Sequence, residues 1–331
     1  MKYKKNLLSV IFGAITSTTL ISCNSGSTNP NSVPSLVTIK TFDYNPGYKT
    51  GVNISIGGSN PIIAEVDSGS NLTVVNESAI LGSNITMTSE SLQLIYGGGT
   101  NTVKGFIGYG SVSFTTDNGQ VINSSPQTPI LVVTSGTVNL GGGNNAILGM
   151  QMNNQTSVRL FLPYPYNQMM ILNRPQNQLS FGELNFQQLS SFANIKLESE
   201  ACQSHNVQTL MNNVCWMTES IPVKYKYSQN GLPDGDVTYG TLFDSGAGNA
   251  MFQFSSPPSW LTHHDSIITN VITASVDTLS RTIPLPLPET LIYQENSDDK
   301  VNAGNNLFNT YQVLFNQRDG IIGLQSADNP L

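Results

Sequence analysis

The chain has 331 residues, of which only 11% are charged, against about 25% in an ordinary soluble domain. Its 14 basic and 21 acidic residues give a formal net charge of −7, which excludes the basic field that holds a nucleic-acid backbone. Long helices draw heavily on Ala, Glu, Lys, Leu and Arg, whereas this sequence is rich in Asn, Ser, Thr and Gly, which excludes a helical bundle and favours a turn-rich β architecture.

The first residues are typical of an export signal. Three of the first five are lysine, and residues 7–20 form a weakly apolar run that is too short to span a bilayer. The run ends in Leu-Ile-Ser-Cys, which is similar to a bacterial lipobox, in which cleavage before the cysteine follows its lipidation. We expect residues 1–22 to be a signal peptide and Cys23 to carry the lipid; the alternative is an ordinary signal peptide with an incidental cysteine.

The segment after Cys23 predicts a flexible tether. Residues 24–34 are mainly Asn, Ser, Thr, Gly and Pro, and they carry too little apolar surface to fold. We therefore expect residues 23–36 to link the folded part to a membrane, as in an exported lipoprotein of a bacterial cell envelope. Asn24 after the lipidated cysteine favours the outer membrane, and a periplasm-facing position is left open.

Two further cysteines, Cys202 and Cys215, follow in the exported chain. Oxidising conditions outside the cytoplasm permit a disulfide between them, worth about 3 kcal/mol on the chain-entropy model. Two thiols are too few for a Cys-only metal site. The His-His-Asp sequence at residues 263–265 lacks the spacing of a ligand cluster and predicts a solvated loop, so we expect neither a metal nor a cofactor.

From Val37 onward the sequence predicts many short strands. Runs rich in Val, Ile, Tyr, Phe and Thr alternate with Gly, Asn and Pro, as in residues 51–56 and 106–114. Helical signals are sparse, and residues 186–192 and 305–308 are each predicted to form a turn or two. The fold class predicted from this pattern is all-β.

One tripeptide recurs half a chain apart. Asp-Ser-Gly occurs at residues 67–69 and again at residues 244–246, each time at the end of an extended apolar run. Two copies with matching lead-ins are much less probable by chance than a single copy. The repeat indicates two homologous lobes, which we place at residues 37–184 and 185–331.

These residues resemble the pepsin-like aspartic peptidases, in which each of two β lobes supplies one catalytic Asp from an Asp-Thr/Ser-Gly turn. The resemblance implies a bilobal pepsin-like fold with a cleft between the lobes, and Asp67 and Asp244 as the catalytic pair. Further segments match in the family's order: residues 95–109 as the flap hairpin, 145–150 as the apolar-apolar-Gly element, 179–183 as the strand that closes the first lobe, and 303–308, 311–315 and 320–324 near the C-terminus.

The chemistry of such a pair depends on two neighbouring carboxyl groups. Two carboxylates about 3 Å apart cannot both ionise, so they share a proton. One deprotonates a water while the other donates a hydrogen bond to the scissile carbonyl. By resemblance, the residues that support the pair are Ser68, Gly69, Ser70, Ser245 and Gly246, with the two Asp-Ser-Gly hydroxyls locking the turns together. The resemblance likewise implies a flap formed by Tyr96, Gly97, Gly98 and Gly99.

Two positions depart from the family pattern. Ser70 can hydrogen-bond the first carboxylate, whereas Ala247 offers no hydroxyl at the matching position of the second lobe. Loss of a donor raises a carboxylate's pKa, so we expect activity at less acidic pH than in relatives with both hydroxyls. Residues 71–74 also lack the tryptophan that many relatives place there as a partner of the flap tyrosine.

The resemblance predicts an aspartic endopeptidase that acts, as a monomer, on peptides or unfolded proteins. The alternative from a different class is a catalytically inactive surface lipoprotein that binds peptide or protein partners through the same cleft, because a fold alone does not fix an activity. A hydrolase triad is disfavoured, since the sequence has only 3 histidines and no Gly-x-Ser-x-Gly elbow. The low charge content predicts a fold that stays intact below about pH 5.

Overall fold

A computed structural model describes residues 36–44, 49–96, 101–136, 145–152, 156–201, 214–229, 232–297 and 299–328. The predicted signal peptide, the lipidated Cys23, the flap glycines Gly97, Gly98 and Gly99, and Cys202 lie outside the described residues. In the part of the chain that is described, no helix is long and apolar enough to cross a membrane.

The regular secondary structure of the described residues is almost entirely β-strand, which confirms the all-β prediction. The first thirteen strands are β1 (Val37–Tyr44), β2 (Lys49–Ile56), β3 (Ile62–Asp67), β4 (Thr73–Asn76), β5 (Thr86–Tyr96), β6 (Asn101–Tyr109), β7 (Val112–Thr115), β8 (Val121–Asn123), β9 (Pro129–Ser135), β10 (Ala146–Gly149), β11 (Met169–Asn173), β12 (Gln178–Gly182) and β13 (Ala193–Lys196). The others are β14 (Ser199–Ala201), β15 (Val214–Trp216), β16 (Ile221–Gln229), β17 (Leu232–Leu242), β18 (Ala250–Phe254), β19 (His263–His264), β20 (Ile267–Ile268), β21 (Val271–Asp277), β22 (Thr282–Leu285), β23 (Leu291–Glu295), β24 (Lys300–Asn302), β25 (Tyr311–Asn316) and β26 (Ile321–Ser326).

The described residues contain one short α-helix and four 3₁₀ helices. An α-helix, α1 (Phe186–Ser190), begins after Asn185, whose side chain accepts from the Gln188 N–H at 2.8 Å while the Gln188 side chain accepts from the Asn185 N–H at 3.0 Å. This reciprocal cap satisfies two donors that the first turn leaves free. The 3₁₀ helices are Glu77–Ile80, Val158–Phe161, Arg174–Gln176 and Asn306–Asn309. The two short helical segments predicted from the sequence are therefore confirmed.

Strands from both predicted lobes share one large sheet. Its path runs β13-β26-β25-β11-β12-β1-β2-β3-β10-β4-β9-β6-β5, with β7 and β8 attached to β2. Within it, β11 of the predicted first lobe pairs antiparallel with β25 of the predicted second lobe, and β25 continues through β26 to β13, so C-terminal strands extend the sheet of the first lobe. A second sheet, β19-β20-β23-β18-β24-β17-β16-β21-β22, contains only residues of the second half.

The same strand arrangement leads into each Asp-Ser-Gly turn. In the first sheet β3 ends at Asp67 and lies parallel to β10, with Gly149 opposite Asp67. In the second sheet β17 leads to Asp244 and lies parallel to β24, with Asn302 opposite Leu242. Buried aromatic contacts join strands within each sheet: Phe114 of β7 packs on Phe181 of β12 in the first sheet, and Tyr225 of β16 packs on Phe252 of β18 in the second. Each turn is thus fixed by strands that are hydrogen-bonded on both sides.

Candidate active site

The two aspartates lie at the ends of equivalent strands and are nearly buried. Asp67 is the last residue of β3, and Asp244 follows the end of β17 by two residues. Their exposed fractions are 6% and 9%. Buried carboxyl groups need hydrogen-bond partners, and the turns that follow the strands supply them.

The hydroxyls of Ser68 and Ser245 join the two turns. The Ser68 hydroxyl donates to the Phe243 carbonyl at 2.9 Å and accepts from the Ser245 N–H at 2.9 Å. The Ser245 hydroxyl donates to the Val66 carbonyl at 2.8 Å and accepts from the Ser68 N–H at 3.0 Å. Both hydroxyls therefore use a donor and an acceptor in a reciprocal set of four bonds, which fixes one turn against the other.

Glycine is required where each turn passes the opposite carboxyl group. The Gly69 N–H donates to Asp67 Oδ1 at 2.8 Å, and the Gly246 N–H donates to Asp244 Oδ1 at 2.8 Å. A Cβ on Gly69 would lie 2.5 Å from the Cγ of Asp244, and a Cβ on Gly246 would lie 2.5 Å from the Cγ of Asp67. Each turn thus contacts its own carboxyl group by hydrogen bond and the other by close approach, which brings the two carboxyl groups together.

The outer oxygens of the two carboxyl groups have different donors. The Ser70 hydroxyl donates to Asp67 Oδ2 at 2.6 Å. Asn302, at the end of β24, donates from Nδ2 to Asp244 Oδ2 at 2.6 Å. The sequence-based argument that Asp244 lacks an outer donor because Ala247 has no hydroxyl is therefore wrong, since an amide from another segment supplies it. Sequence reasoning missed Asn302, whose only signal is its place two residues before Gly304 in the C-terminal Gly motif.

Asp67 titrates above the ordinary range of a carboxyl group. Burial is the largest cause of its raised pKa, followed by the charges of Asp244 and Glu65. The hydrogen bonds from Ser70 and Gly69 favour the ionised form and oppose the rise without cancelling it. Asp67 is therefore suited to hold a proton that a pair of neighbouring carboxyl groups shares.

A partly buried ion pair lies near Asp67. Glu65, two residues earlier on β3, is 0% exposed, and one of its carboxylate oxygens is 2.7 Å from the Nζ of Lys49 on β2. Residues two apart on a strand share a face, which places Glu65 on the Asp67 side of the sheet. The sequence analysis missed this pair, because the β2–β3 register that brings Lys49 to Glu65 is set by tertiary structure.

Tyr96 lines the same cleft as Asp67. It ends β5, which forms an antiparallel hairpin with β6. The pKa of Tyr96 is raised, first by burial and then by the charge of Asp67, and a hydrogen bond with Ser70 opposes this rise. Ser70 thus contacts both the hairpin tyrosine and Asp67. The hairpin tip at Gly97, Gly98 and Gly99 lies outside the described residues.

Asp67, Asp244, Ser70 and Tyr96 line a cleft of about 670 Å³ that contains residues from both halves of the sequence. A cleft of this volume is in the range of ligand-binding sites. Besides both aspartates, the charged and polar lining residues include Lys49, Gln151, Glu219, Lys300 and Asn302. The Nζ of Lys300 is 3.4 Å from a Glu219 carboxylate oxygen. Both lysines in the cleft therefore lie beside a carboxylate, Lys49 beside Glu65 and Lys300 beside Glu219.

Cys215, His264 and Asp265, which are among the described residues, do not line this cleft. Cys215 is buried on β15, opposite Glu200, and its pairing with Cys202 stays a prediction because Cys202 is not among the described residues. His264 and Asp265 are exposed and contact each other at 2.8 Å. Among the residues that the structure describes, no three of His, Cys, Asp and Glu are grouped as a metal site requires.

The fold is similar to that of a solved aspartic proteinase. The aspartic proteinase from Irpex lacteus superposes with a TM-score of 0.58 over 88% of this chain and 97% of its own, at 13% sequence identity. No family model matches the sequence. No curated protein matches it either. At this identity the likeness concerns the fold, and the chain has the bilobal all-β architecture of the pepsin-like aspartic proteinases.

Proposed function

We propose that the chain is an aspartic endopeptidase, in which Asp67 and Asp244 activate a water for attack on a peptide bond. The observation that carries the proposal is the reciprocal approach of each turn glycine to the opposite carboxyl group, at 2.5 Å from a Cβ position to Cγ in both directions. A structural turn or helix cap has no need for two such nearly buried carboxyl groups that line one cleft.

The chemistry follows from one proton shared by two acids. Asp67, with its raised pKa, holds the proton and donates a hydrogen bond to the scissile carbonyl. Asp244 takes a proton from the water, whose oxygen forms the new bond to the carbonyl carbon. The proton then passes to the leaving nitrogen as the carbon–nitrogen bond breaks, and the pair returns to its starting state. No covalent intermediate is needed.

The cleft fits an extended peptide. Its walls come from both halves of the sequence, and the β5–β6 hairpin carries Tyr96 at its end beside Asp67. An extended chain bound against such a hairpin forms main-chain hydrogen bonds and places alternate side chains in pockets. We therefore propose peptides and unfolded proteins as the substrate class.

The test is cleavage of an unfolded protein by the full chain between about pH 3 and pH 7, with and without a pepstatin-type inhibitor. We expect acid-dependent, inhibitor-sensitive cleavage that disappears in both Asp67→Asn and Asp244→Asn. The matched control is Asp265→Asn, since Asp265 is 85% exposed. Cleavage that persists in either dyad variant contradicts the proposal. A folded wild-type chain that cleaves at no pH contradicts it as well and leaves the peptide-binding lipoprotein.

We propose separately that the protein is exported and anchored to a bacterial envelope membrane through Cys23. The support is the sequence alone, namely the basic start, the short apolar run and the Leu-Ile-Ser-Cys that ends it. Labelled palmitate is expected to enter the wild-type chain in a bacterial host and not Cys23→Ser. Equal labelling of the two chains would contradict the anchor and would leave the peptidase proposal untouched.

A further inference from the structure

The two carboxyl groups of the pair differ in the kind of donor at their outer oxygens. Asp67 has the Ser70 hydroxyl at 2.6 Å, and Asp244 has the Asn302 amide at 2.6 Å. A hydroxyl can donate to a carboxylate or accept from a protonated carboxyl group, so it tolerates both states of Asp67. An amide NH₂ group can only donate, so it favours the ionised state of the group it contacts.

The orientation of the Asn302 amide is fixed by a second bond. Its Oδ1 accepts from the Gly304 N–H at 2.9 Å, which directs Nδ2 toward Asp244. Turning the amide over would place its oxygen against the carboxylate and its NH₂ group against the Gly304 N–H, so both bonds would be lost at once. The contact with Asp244 is therefore a donor contact.

Asn302 is held on a rigid part of the fold. It is the last residue of β24, which pairs in parallel with β17 at Leu242 and antiparallel with β18 at Met251. The following segment also contacts the second turn, because the Asn305 N–H donates to the Ala247 carbonyl at 2.8 Å. A side chain that projects from a strand paired on both sides can hold its partner more closely than one on a loop.

We propose that Asn302 is a positioning residue that replaces the hydroxyl absent at Ala247 and holds Asp244 as the ionised member of the pair. Asp244 is then the group that takes the proton from water, and Asp67 is the group that donates to the carbonyl. This assignment rests on the proposed peptidase function. It agrees with the burial and neighbouring charges that favour a proton on Asp67.

The test compares Asn302→Leu and Asn302→Asp with the wild-type chain by the pH dependence of kcat/KM. Loss of a donor to the ionised carboxylate makes the ionised pair less favourable, so the acidic limb of kcat/KM is expected to move up by about one pH unit. At a pH below that limb, kcat/KM of the variant is expected to be about tenfold lower than that of the wild-type chain. Asn302→Asp retains an acceptor for the Gly304 N–H, removes the donor and adds a negative charge beside Asp244, so its acidic limb is expected to move in the same direction and further.

Rescue makes the test specific. In the Asn302→Leu background, Ala247→Ser adds a hydroxyl three residues after Asp244, the spacing at which Ser70 bonds Asp67, and is expected to return the limb toward its wild-type position. Asn309→Leu is the matched control, because Asn309 is exposed and its amide contacts Asn306. It is expected to leave the profile unchanged.

An acidic limb that stays in place in both Asn302 variants overturns the proposal. So does a shift that Ala247→Ser fails to reverse, since a general loss of structure would behave in that way. A second readout is independent of turnover: in the chain labelled with ¹³C at Asp Cγ, the Asp244 carboxyl resonance at a fixed pH is expected to move toward that of a protonated carboxyl group in Asn302→Leu. A wild-type chain that never cleaves peptides contradicts the peptidase, whereas this chemical shift still decides whether Asn302 holds Asp244 ionised.

Discussion

Gly246 lies so close to Asp67 that a Cβ at this position would be 2.5 Å from the carboxyl carbon. Gly69 has the same relationship to Asp244. Real Cβ atoms do not approach other atoms this closely. Each carboxyl group also accepts a hydrogen bond from a backbone N–H, which keeps it from moving aside for a new methyl group. The two turns therefore restrict each other, and each depends on glycine in the other half of the sequence.

Gly246→Ala is expected to destabilise the protein by about 1–3 kcal/mol and to abolish peptide cleavage, because the new methyl group displaces the Asp67 carboxyl group. Chemical denaturation and a cleavage assay measure the two effects. Gly58→Ala is the control: its φ is +79°, with nothing within 4 Å of the new Cβ, so it strains the backbone without touching the pair. Full activity in Gly246→Ala would contradict the close approach.

Ser68→Ala is expected to lower the free energy of unfolding by about 1–3 kcal/mol, since it leaves the buried Phe243 carbonyl and Ser245 N–H without their partner. Ser68→Thr keeps the hydroxyl and is expected to be tolerated. Because the two serines form one reciprocal set, Ser68→Ala and Ser245→Ala are expected to be non-additive in a double-mutant cycle. If the two changes in the free energy of unfolding, measured by urea denaturation, simply add in the double variant, the two hydroxyls do not act together. Ser190→Ala on exposed α1 is expected to change stability by less than about 0.5 kcal/mol.

Glu65→Gln and Lys49→Met are expected to move the alkaline limb of kcat/KM in opposite directions. The charge of Glu65 raises the pKa of Asp67, which in this account must stay protonated for catalysis. Removing that charge lowers the pKa of Asp67 and shifts the alkaline limb to lower pH. Removing the Lys49 cation leaves the negative charge of Glu65 without its counter-charge. The pKa of Asp67 then rises further, and the alkaline limb shifts to higher pH. Shifts in the same direction would contradict the assignment of the limb to Asp67.

The fold is expected to stay intact below about pH 5. Asp67 binds its proton more tightly in the folded state, so its contribution to stability is fully present below its ordinary pKa of 3.8 and is lost as the pH rises through the folded value. Asp319 acts in the opposite direction: burial alone would raise its pKa, but hydrogen bonds from Arg318 and Asn316 lower it, and its contribution is lost as the pH falls. Since only 11% of residues are charged, few such losses accumulate. Unfolding near pH 5 by circular dichroism would contradict this expectation.

The sequence predicts the two aspartates well because each is part of a local pattern, an apolar strand followed by Asp-Ser-Gly. It does not predict Asn302, which lies 58 residues from Asp244 along the chain and reaches it through the parallel pairing of β17 and β24. Glu65 and Lys49 are missed for the same reason, since a charged residue in an apolar strand reveals its partner only when the strand register is known. The sequence thus predicts the catalytic aspartates from their local pattern. It does not predict the residues that contact them or change their pKa, because those residues are brought close by pairing between distant strands.

The pH dependence of kcat/KM for an internally quenched peptide tests the central claim most directly. If Asp67 and Asp244 share one catalytic proton, the wild-type profile is bell-shaped, with one limb for each step of the coupled pair. Asp67→Asn and Asp244→Asn are each expected to lower kcat/KM by about 10² to 10⁴-fold across the whole range. A profile with a single limb, or a dyad variant that retains wild-type turnover at any pH, would contradict the account.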